Sequence, residues 1–282
     1  MTELLAAAKT DIGRRKVNQD AYSLHVTDNG IYQALFAVLC DGAGGLTHAE
    51  VASGLVVRAF RQWFSNQSMS LLTMRPTAQS LFAEWEEVLS QVNGQIYQYG
   101  LQHQIQLGTT AVVLLAVQGQ YYILNVGDSR FYSLKDQALR ITRDHTYAQL
   151  AVEQHQLRPE DAMSDPRRRV LFRCIGAEET VLGDYFTGAF TPGDYYLLCT
   201  DGFYHTLSED ELGVGLSDHP PEDDAAARLW LEDRFALIRQ RGETDNMTAL
   251  LFRAGDELGP TERTVDLRRG IQICRQATSL QE

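Results

Sequence analysis

The fold is decided by the stretch Val38-Leu39-Cys40-Asp41-Gly42-Ala43-Gly44-Gly45. An apolar run, Ala34 to Cys40, leads directly into an aspartate, and three glycines follow within the next four residues. An acid at the mouth of a buried strand is costly unless something cationic compensates its charge. The stretch therefore predicts a buried strand that delivers Asp41 to a site where cations are held, with a helix beginning after the glycines.

Short strands and paired helices surround this stretch. A strand is predicted on either side of Asp28-Asn29-Gly30, because Asn-Gly accepts the positive φ of a hairpin turn with little strain. Apolar residues at helical spacing predict one helix over 47–65 and a second over 76–104. Further strands are predicted at 4–10, 111–118, 121–126, 131–134, 184–190, 195–199 and 247–252, and further helices at 208–216 and 225–240. Hairpin-spaced strands favour two antiparallel sheets with helices outside over alternating βαβ units.

The composition limits the classes of function. The chain has 282 residues and a net charge of −12, which argues against non-specific binding to nucleic acid or to anionic membranes as the main role. The four cysteines form no CxxC pair, so no zinc or redox motif is present and a reducing compartment is expected. No leader peptide and no run of roughly 20 apolar residues occurs, which predicts a soluble, cytoplasmic protein.

The chain is expected to form one domain over residues 1–253. Residues 144–180 are polar, contain Pro159 and Pro166, and are typical of a mobile flap over a site. Residues 254–282 are weakly patterned, and we expect them to form a tail or a small packed extension.

Aspartates at strand ends form the second pattern. They are Asp20, Asp41, Asp128, Asp201 and Asp245, and four of the five are followed by Gly, Ser or Asn, which let the backbone approach a ligand closely. Carboxylates that converge in one cleft repel one another unless divalent cations lie among them. Oxygen ligands suit Mg²⁺ or Mn²⁺, and no histidine pair has zinc-ligand spacing. A single Asp-Gly is usually a turn, so the prediction of a metal centre depends on the whole set.

Six short motifs occur in order along the chain. They are Arg15-x-x-Asn18-Gln19-Asp20, Asp41-Gly42-x-Gly44-Gly45, Gly108-Thr109-Thr110-Ala111, Val126-Gly127-Asp128-Ser129-Arg130, Thr200-Asp201-Gly202 and Gly242-Glu243-Thr244-Asp245-Asn246-Met247-Thr248. Over residues 8–252 the chain resembles the metal-dependent serine/threonine protein phosphatases (PPM family, type 2C), especially the bacterial single-domain members. The resemblance implies an α+β fold, a four-layer αββα sandwich of two antiparallel sheets with helices outside, and a metal centre between the sheets at one end.

The resemblance also implies a set of metal ligands. Asp41 matches the carboxylate that bridges two metal ions, and the Gly42 carbonyl matches a ligand of one of them. Asp201 and Asp245 match ligands of the first metal, and Asp128 matches a ligand of a third metal seen in bacterial members. The expected cofactors are therefore two Mn²⁺ or Mg²⁺ ions, with a place for a third.

The remaining implied roles concern catalysis. Asp20 matches an acid that orients metal-bound water, and Arg15 matches the guanidinium that holds the substrate phosphate. Arginine can hold two phosphate oxygens at once. A water bridging two divalent cations becomes a hydroxide-like nucleophile near neutral pH. The implied activity is hydrolysis of phosphoserine and phosphothreonine in proteins by a monomer that opposes a bacterial serine/threonine kinase.

The chain departs from the family pattern in three places. Ala43 stands where eukaryotic members often have a histidine proposed as a general acid, Leu46 stands where a histidine is common, and Gln19 stands where many members have glutamate. Protonation of the leaving group must therefore come from metal-bound water or another group. His48 and His145 are nearby in sequence, but packing is the alternative interpretation of each, and geometry must decide.

Two further functions stay open at this point. One is a pseudophosphatase that binds phosphoproteins or regulators without turnover, which loss of the metal aspartates would favour. The other is a hydrolase of small phosphate esters, since the metal centre sets the chemistry while the flap and grooves set the substrate. The run Arg167-Arg168-Arg169 either attracts acidic or multiply phosphorylated substrates or is a solvated turn paired with neighbouring acids.

Overall fold

A computed structural model describes residues 4–29, 32–43, 48–135, 137–255 and 273–278 of the chain. Its strands form two antiparallel sheets. The strands are β1 (Leu5–Asp11), β2 (Ala21–Asp28), β3 (Gln33–Cys40), β4 (Ala111–Val117), β5 (Gln120–Val126), β6 (Arg130–Leu134), β7 (Ala138–Arg140), β8 (Asp184–Ala189), β9 (Tyr195–Cys199), β10 (Met247–Arg253) and β11 (Ile273–Thr278). The first sheet has the order β1-β10-β9-β6-β7, and the second has the order β11-β2-β3-β4-β5-β8.

Helices follow or separate the strands in the order of the chain. They are α1 (Ala49–Thr73), α2 (Ala78–His103), α3 (Tyr147–Glu153), α4 (Asp201–Tyr204), α5 (Glu209–Leu212) and α6 (Asp224–Gln240). Within the described ranges, none of these helices combines the length and the apolar character that a bilayer crossing requires.

Three apolar cores separate four layers. Phe36 of β3 and Trp85 of α2 belong to the core between the second sheet and the helices α1 and α2. Phe131 belongs to the core between the two sheets. Phe203 and Phe235 belong to the core between the first sheet and the helices α4 and α6. The predicted four-layer αββα sandwich is therefore confirmed, because each sheet buries one face against helices and the other against its partner sheet.

Strand β3 explains why the sequence before Asp41 is apolar throughout. It lies between β2 and β4, in the interior of the second sheet. Successive side chains enter different cores, because neighbouring residues of a strand point to opposite faces. Phe36, Val38 and Cys40 face the helices, whereas Leu35, Ala37 and Leu39 face the other sheet. Asp41 is the first residue after the strand, at the end of a segment that is buried against a core on each face.

Two predicted helix boundaries were wrong. Helix α1 continues to Thr73 rather than ending at 65, because Leu71 and Leu72 are buried and extend its apolar side. The helix predicted over 208–216 ends at Leu212, since Gly213 follows and Gly215 has a φ of +86°, which a helix does not accept. Residues 44–47, where the first long helix was predicted to begin, lie outside the described residues.

The predicted flap lies between β7 and β8. It contains α3 and two short 3₁₀ turns, Pro159–Asp161 and Pro166–Arg169. Isolated β-bridges fix its backbone. One pairs Thr146 with Leu171 within the flap, and one pairs Ile175 with Thr109, which lies beside β4. These bridges place residues 169–174 against the ends of the sheets that carry the aspartates.

Strand β11 is the described part of the C-terminal segment. It pairs with β2 in antiparallel register and adds an edge strand to the second sheet. The division of the chain at residue 253 stays a prediction.

Candidate metal centre

A cavity of about 460 Å³ opens where strands of both sheets end. Four aspartates line it, each beside a different strand: Asp41 follows β3, Asp128 follows β5, Asp201 follows β9 and Asp245 precedes β10. The other lining residues are Arg15, Ala43, Thr110, Arg169, Val170, Leu171 and Cys174. The sheets thus bring together aspartates that lie up to 204 positions apart along the chain, from Asp41 to Asp245.

The backbone of Asp41 is fixed on both sides by Thr110. The Asp41 N–H donates to Thr110 Oγ1 at 3.0 Å, and the Thr110 N–H donates to the Asp41 carbonyl at 2.8 Å. Gly42 follows, and a Cβ there would lie 2.8 Å from the Gln19 carbonyl oxygen and 2.9 Å from the Ala49 Cβ. Only glycine fits this position, so the turn that aims Asp41 into the cavity is built into the sequence.

The Asp41 carboxyl lies in an anionic environment. Burial raises its pKa well above its ordinary value, and the nearby charges of Asp20, Asp201 and Asp128 raise it further. A carboxyl that resists ionisation in this way gains from a cation placed beside it.

Asp128 is held by a turn that needs glycine. Gly127 has a φ of +101°, and a Cβ there would lie 2.5 Å from the Thr110 methyl carbon. The Gly127 N–H donates to His145 Nδ1 at 3.0 Å, and the Tyr204 hydroxyl donates to the Asp128 carbonyl at 2.9 Å. Burial, and then the charge of Asp201, raises the pKa of Asp128 well above its usual range.

Asp201 begins helix α4 and is contacted by the residue that follows the end of this helix. His205, one turn later, places Nε2 at 3.4 Å from Asp201 Oδ2, and only 6% of the His205 side chain is exposed. No sequence motif includes His205, although the i,i+4 spacing from Asp201 is the signal that points to it.

Asp20 lies behind the cavity wall rather than in it. Its Oδ2 accepts hydrogen bonds from Thr248 Oγ1 at 2.6 Å and from Thr200 Oγ1 at 3.1 Å, whereas Oδ1 is buried without a partner in the described part of the chain. Burial, with a smaller contribution from the charges of Asp201 and Asp245, raises the pKa of Asp20 to about 7. A buried oxygen without a donor is costly and marks a place where a further group is accommodated.

Arg15 occupies one side of the cavity and is paired there with Asp245. The Arg15 Nε donates to Asp245 Oδ1 at 2.9 Å, and Nη2 donates to Oδ2 at 2.7 Å. Asp245, the neighbouring Asp201 and Asp41 all raise the pKa of Arg15, with the hydrogen-bonded Asp245 contributing most.

The donor set suits hard divalent cations. Four carboxylates share one cavity, a fifth stands behind it, and one buried carboxylate oxygen has no partner among the described residues. No three His, Cys, Asp or Glu side chains in the described ranges are already drawn together at metal-ligand spacing. Ionised carboxylates in one cavity repel one another, and Arg15 holds Asp245 to one side. Divalent cations would remove the repulsion, so the residues present fit them.

Most predicted site residues meet in this cavity. Arg15, Asp41, Asp128, Asp201 and Asp245 line it directly, and their assigned roles stay predictions.

The two histidines considered as general acids lie elsewhere. His145 is fully buried, accepts from the Gly127 N–H and contacts Asp184 Oδ2 at 3.1 Å through Nε2. His48 is exposed and pairs with Glu50 at 3.4 Å. No histidine belongs to the described residues that line the cavity.

The arginine run of the flap does not act as one cluster. Arg167 pairs with Asp165 in a bidentate ion pair at the surface, with N–O distances of 2.9 and 2.8 Å. Arg169 lines the cavity of the aspartates, and Arg168 lines a different cavity. Sequence alone gave the run but not its division, because the division depends on how the 3₁₀ turn is oriented.

Comparisons with known proteins agree with this geometry. The profile of the Protein phosphatase 2C family matches residues 9–251. Serine/threonine phosphatase stp of Listeria monocytogenes is 33% identical over 255 residues, 87% of this chain and 94% of that protein. Stp1 from Staphylococcus aureus is similar in structure, with a TM-score of 0.72, 28% identity, and coverage of 90% of this chain and 95% of that one. The catalytic domain of phosphatase PstP in complex with two manganese ions has a TM-score of 0.68, 27% identity, and coverage of 90% and 99%.

An αββα sandwich with carboxylates at the end of both sheets defines a class of phosphatases, and the comparisons fix the family. The chain belongs to the protein phosphatase 2C family. It is a protein serine/threonine phosphatase of the bacterial type. The predicted family, fold and enzyme class are confirmed.

Proposed function

We propose that this phosphatase hydrolyses phosphoserine and phosphothreonine in proteins with two divalent cations, Mn²⁺ or Mg²⁺, held by its aspartates. The observation that carries the proposal is the convergence of Asp41, Asp128, Asp201 and Asp245 on one cavity that also contains Arg15. The related PstP catalytic domain was crystallised with two manganese ions, which supports the same cofactor here.

The position of each aspartate suits a particular role in holding the cations. The charges of both Asp201 and Asp128 raise the pKa of Asp41, which suits a carboxylate shared by two cations, and Gly42 follows it directly in sequence. Asp201 and Asp245 would complete the site of one of the two cations. Asp128 would be a ligand of a third cation. When bound, divalent cations supply Lewis-acid activation of water and of the phosphoryl oxygens.

Arg15 and Asp20 serve the substrate and the attacking water. The Arg15 guanidinium is half-exposed at the edge of the cavity, where it can donate two hydrogen bonds to a phosphate in place of Asp245. Asp20 has one carboxylate oxygen without a partner in the described chain and lies near Asp41, so it can accept a proton or orient a water there. Ala43 lines the cavity and supplies no proton to the leaving group.

Phosphoproteins made by a cognate serine/threonine kinase are the proposed substrates. Two alternatives are less well supported. A pseudophosphatase would not need five aspartates, all of which are present around one cavity. Hydrolysis of small phosphate esters is compatible with the metal centre, and comparing phosphopeptides with small esters at equal concentration would separate it from the proposal.

Replacement of the two central aspartates tests the proposed chemistry. Asp41→Asn and Asp201→Asn should each abolish Mn²⁺-dependent hydrolysis of p-nitrophenyl phosphate and of a phosphothreonine peptide, while the circular dichroism spectrum stays unchanged. Asp233→Asn, an exposed aspartate of α6, is the matched control and should retain activity. Full activity of both central variants, or activity in excess chelator, would falsify the proposal.

A further inference from the structure

A second cavity, of about 440 Å³, lies between the flap and the helices α4 and α5. In the described part of the chain it shares no lining residue with the cavity of the aspartates. We call it the flap cavity. None of the proposed metal ligands lines it, and the proposed chemistry gives it no role.

On the inner wall of the flap cavity, two arginine side chains share one carboxylate. Arg130 is almost fully buried and donates to Asp144 through Nε at 3.0 Å and through Nη2 at 2.6 Å. Arg140 also donates to Asp144, at 3.0 Å, and its other terminal nitrogen is 3.4 Å from Gln149 Oε1. One carboxylate therefore serves two arginines, and its charge neutralises only one of them.

Arg168 adds a third guanidinium from the flap. No hydrogen bond or ion pair of its side chain occurs within the described ranges, in contrast to Arg167 next to it, which is paired with Asp165. An arginine without an acidic partner at the wall of a cavity is available to an incoming anion.

The acidic residues of the flap cavity do not cancel this excess. Besides Asp144, the lining includes Glu160 and Glu209. Glu160 pairs with Arg158, which does not line the cavity, at 3.3 Å, and Glu209 is an exposed residue at the start of α5. Three arginines thus face two carboxylates, Asp144 and Glu209, that are not paired outside the cavity, in a protein whose net charge is −12.

The wall between the two cavities is made of residues that contact proposed metal ligands. His205 lines the flap cavity and reaches Asp201 at 3.4 Å. Tyr204 lines it too, donates to the Asp128 carbonyl, and carries the Arg130 guanidinium 3.7 Å above its ring centre. Through Tyr204, the buried Arg130 of the flap cavity is thus connected to the backbone of Asp128.

We propose that the flap cavity binds an oxyanion, a phosphate or carboxylate group, through Arg140 and Arg168 next to the buried Arg130–Asp144 pair. The group has two sources of the same chemistry: a second phosphoryl or acidic group on the protein substrate, or free inorganic phosphate. The site does not depend on the proposed metal chemistry, because every residue that forms it lies outside the cavity of the aspartates.

Inorganic phosphate is the first probe. Phosphate should be titrated into the full chain in excess EDTA, with binding followed by calorimetry and by the amide NMR signals of the flap. Arg140→Gln and Arg168→Gln should each weaken binding by about tenfold or more, the effect expected for loss of a hydrogen bond to a charged group. Arg168→Lys should restore part of the affinity.

Two neighbouring arginines of the same turn serve as controls. Arg167→Gln should leave phosphate affinity unchanged, because that side chain pairs with Asp165 outside both cavities. Arg169→Gln separates the two cavities, since it lines only the one with the aspartates. No detectable phosphate binding, or binding that follows Arg169 rather than Arg140 and Arg168, would overturn the proposal.

Phosphopeptides then distinguish the two sources. Peptides with one phosphothreonine should be compared with peptides that carry a second phosphoserine at varied spacing. A lower KM for a doubly phosphorylated peptide that disappears in Arg168→Gln assigns the site to the substrate. Equal KM values, together with an effect of added phosphate that Arg168→Gln removes, assign it to free phosphate. Phosphate binding in EDTA needs no turnover, so it stands or falls separately from the proposed function.

Discussion

Arg15 and Asp245 form a bidentate ion pair across the mouth of the metal-centre cavity, with N–O distances of 2.9 and 2.7 Å. The pair joins the loop after β1 to the loop before β10. Asp245 is also a proposed metal ligand, and Arg15 is the proposed phosphate ligand. One carboxylate cannot serve the arginine and a cation fully at the same time, so cation binding should release Arg15 toward the substrate.

The first prediction concerns this competition. Arg15→Gln should bind Mn²⁺ up to about fivefold more tightly without substrate, because a partly exposed ion pair contributes only about 0–1 kcal/mol. The same variant should show a raised KM for phosphopeptides, since the phosphate loses its bidentate donor. Calorimetric titration of Mn²⁺ measures the first effect. Arg14→Gln, the adjacent exposed arginine, is the control, and weaker Mn²⁺ binding in Arg15→Gln would contradict the competition.

The second prediction concerns the turn that holds Asp128. Gly127→Ala should destabilise the protein by about 1–3 kcal/mol, because alanine is strained at a φ of +101° and its Cβ would meet Thr110. Gly54→Ala, in the second turn of α1 with no atom within 4 Å of the new Cβ, should instead stabilise the protein by about 0.5–1 kcal/mol. Urea unfolding of both variants in EDTA gives the two free energies. Equal stability of the variants would show that the turn relaxes freely.

The third prediction concerns pH and His145. Burial lowers the pKa of His145 below its ordinary value, and the hydrogen bond to Asp184 offsets only part of this. As pH falls below the ordinary histidine pKa of about 6.5, the imidazole of His145 takes up a proton in the unfolded chain but not yet in the folded protein. Protonation therefore favours the unfolded state, and the free energy of unfolding decreases as pH falls below about 6.5. His145→Gln should lower stability at pH 7.5 but make it less dependent on pH between 6.5 and 5.5.

Urea unfolding at pH 7.5, 6.5 and 5.5 measures this dependence. Exposed His219→Gln is the control and should follow the wild-type profile. A His145→Gln profile parallel to that of the wild type would rule out a contribution of His145 to the pH dependence.

The fourth prediction concerns metal removal. EDTA should lower the melting temperature, and Mn²⁺ should restore it in a concentration-dependent way, because a ligand that binds only the folded state stabilises it by mass action. Neutralising one carboxylate in Asp41→Asn should reduce the shift, whereas Asp233→Asn should not. A wild-type melting temperature indifferent to Mn²⁺ would mean that the four carboxylates hold no cation in solution.

The sequence predicted those features of the fold and the site that depend on residues close together along the chain. The apolar run before Asp41 predicted a buried strand, and the small or turn-forming residues after four of the aspartates predicted a backbone that can approach a ligand closely. Gly213 and Gly215 carried a helix-ending signal that the apolar spacing around them outweighed. The pairing of Arg15 with Asp245 was out of reach, because it joins residues 230 positions apart and depends on the sheet register. The same holds for Arg168 and Arg169, which the orientation of one short turn sends to different cavities.

The antiparallel pairing of β1 with β10 has a consequence for synthesis of the chain. Residues 5–11 find their partners only at residues 247–253, and Asp245 lies just before them. A growing polypeptide therefore contains Asp41, Asp128 and Asp201 before it contains Asp245 and strand β10, which pairs with both β1 and β9. Contacts of such long range form late and slowly. With Asp245 and Arg15 in their proposed roles, we expect the chain to gain activity only after residue 253 has been made.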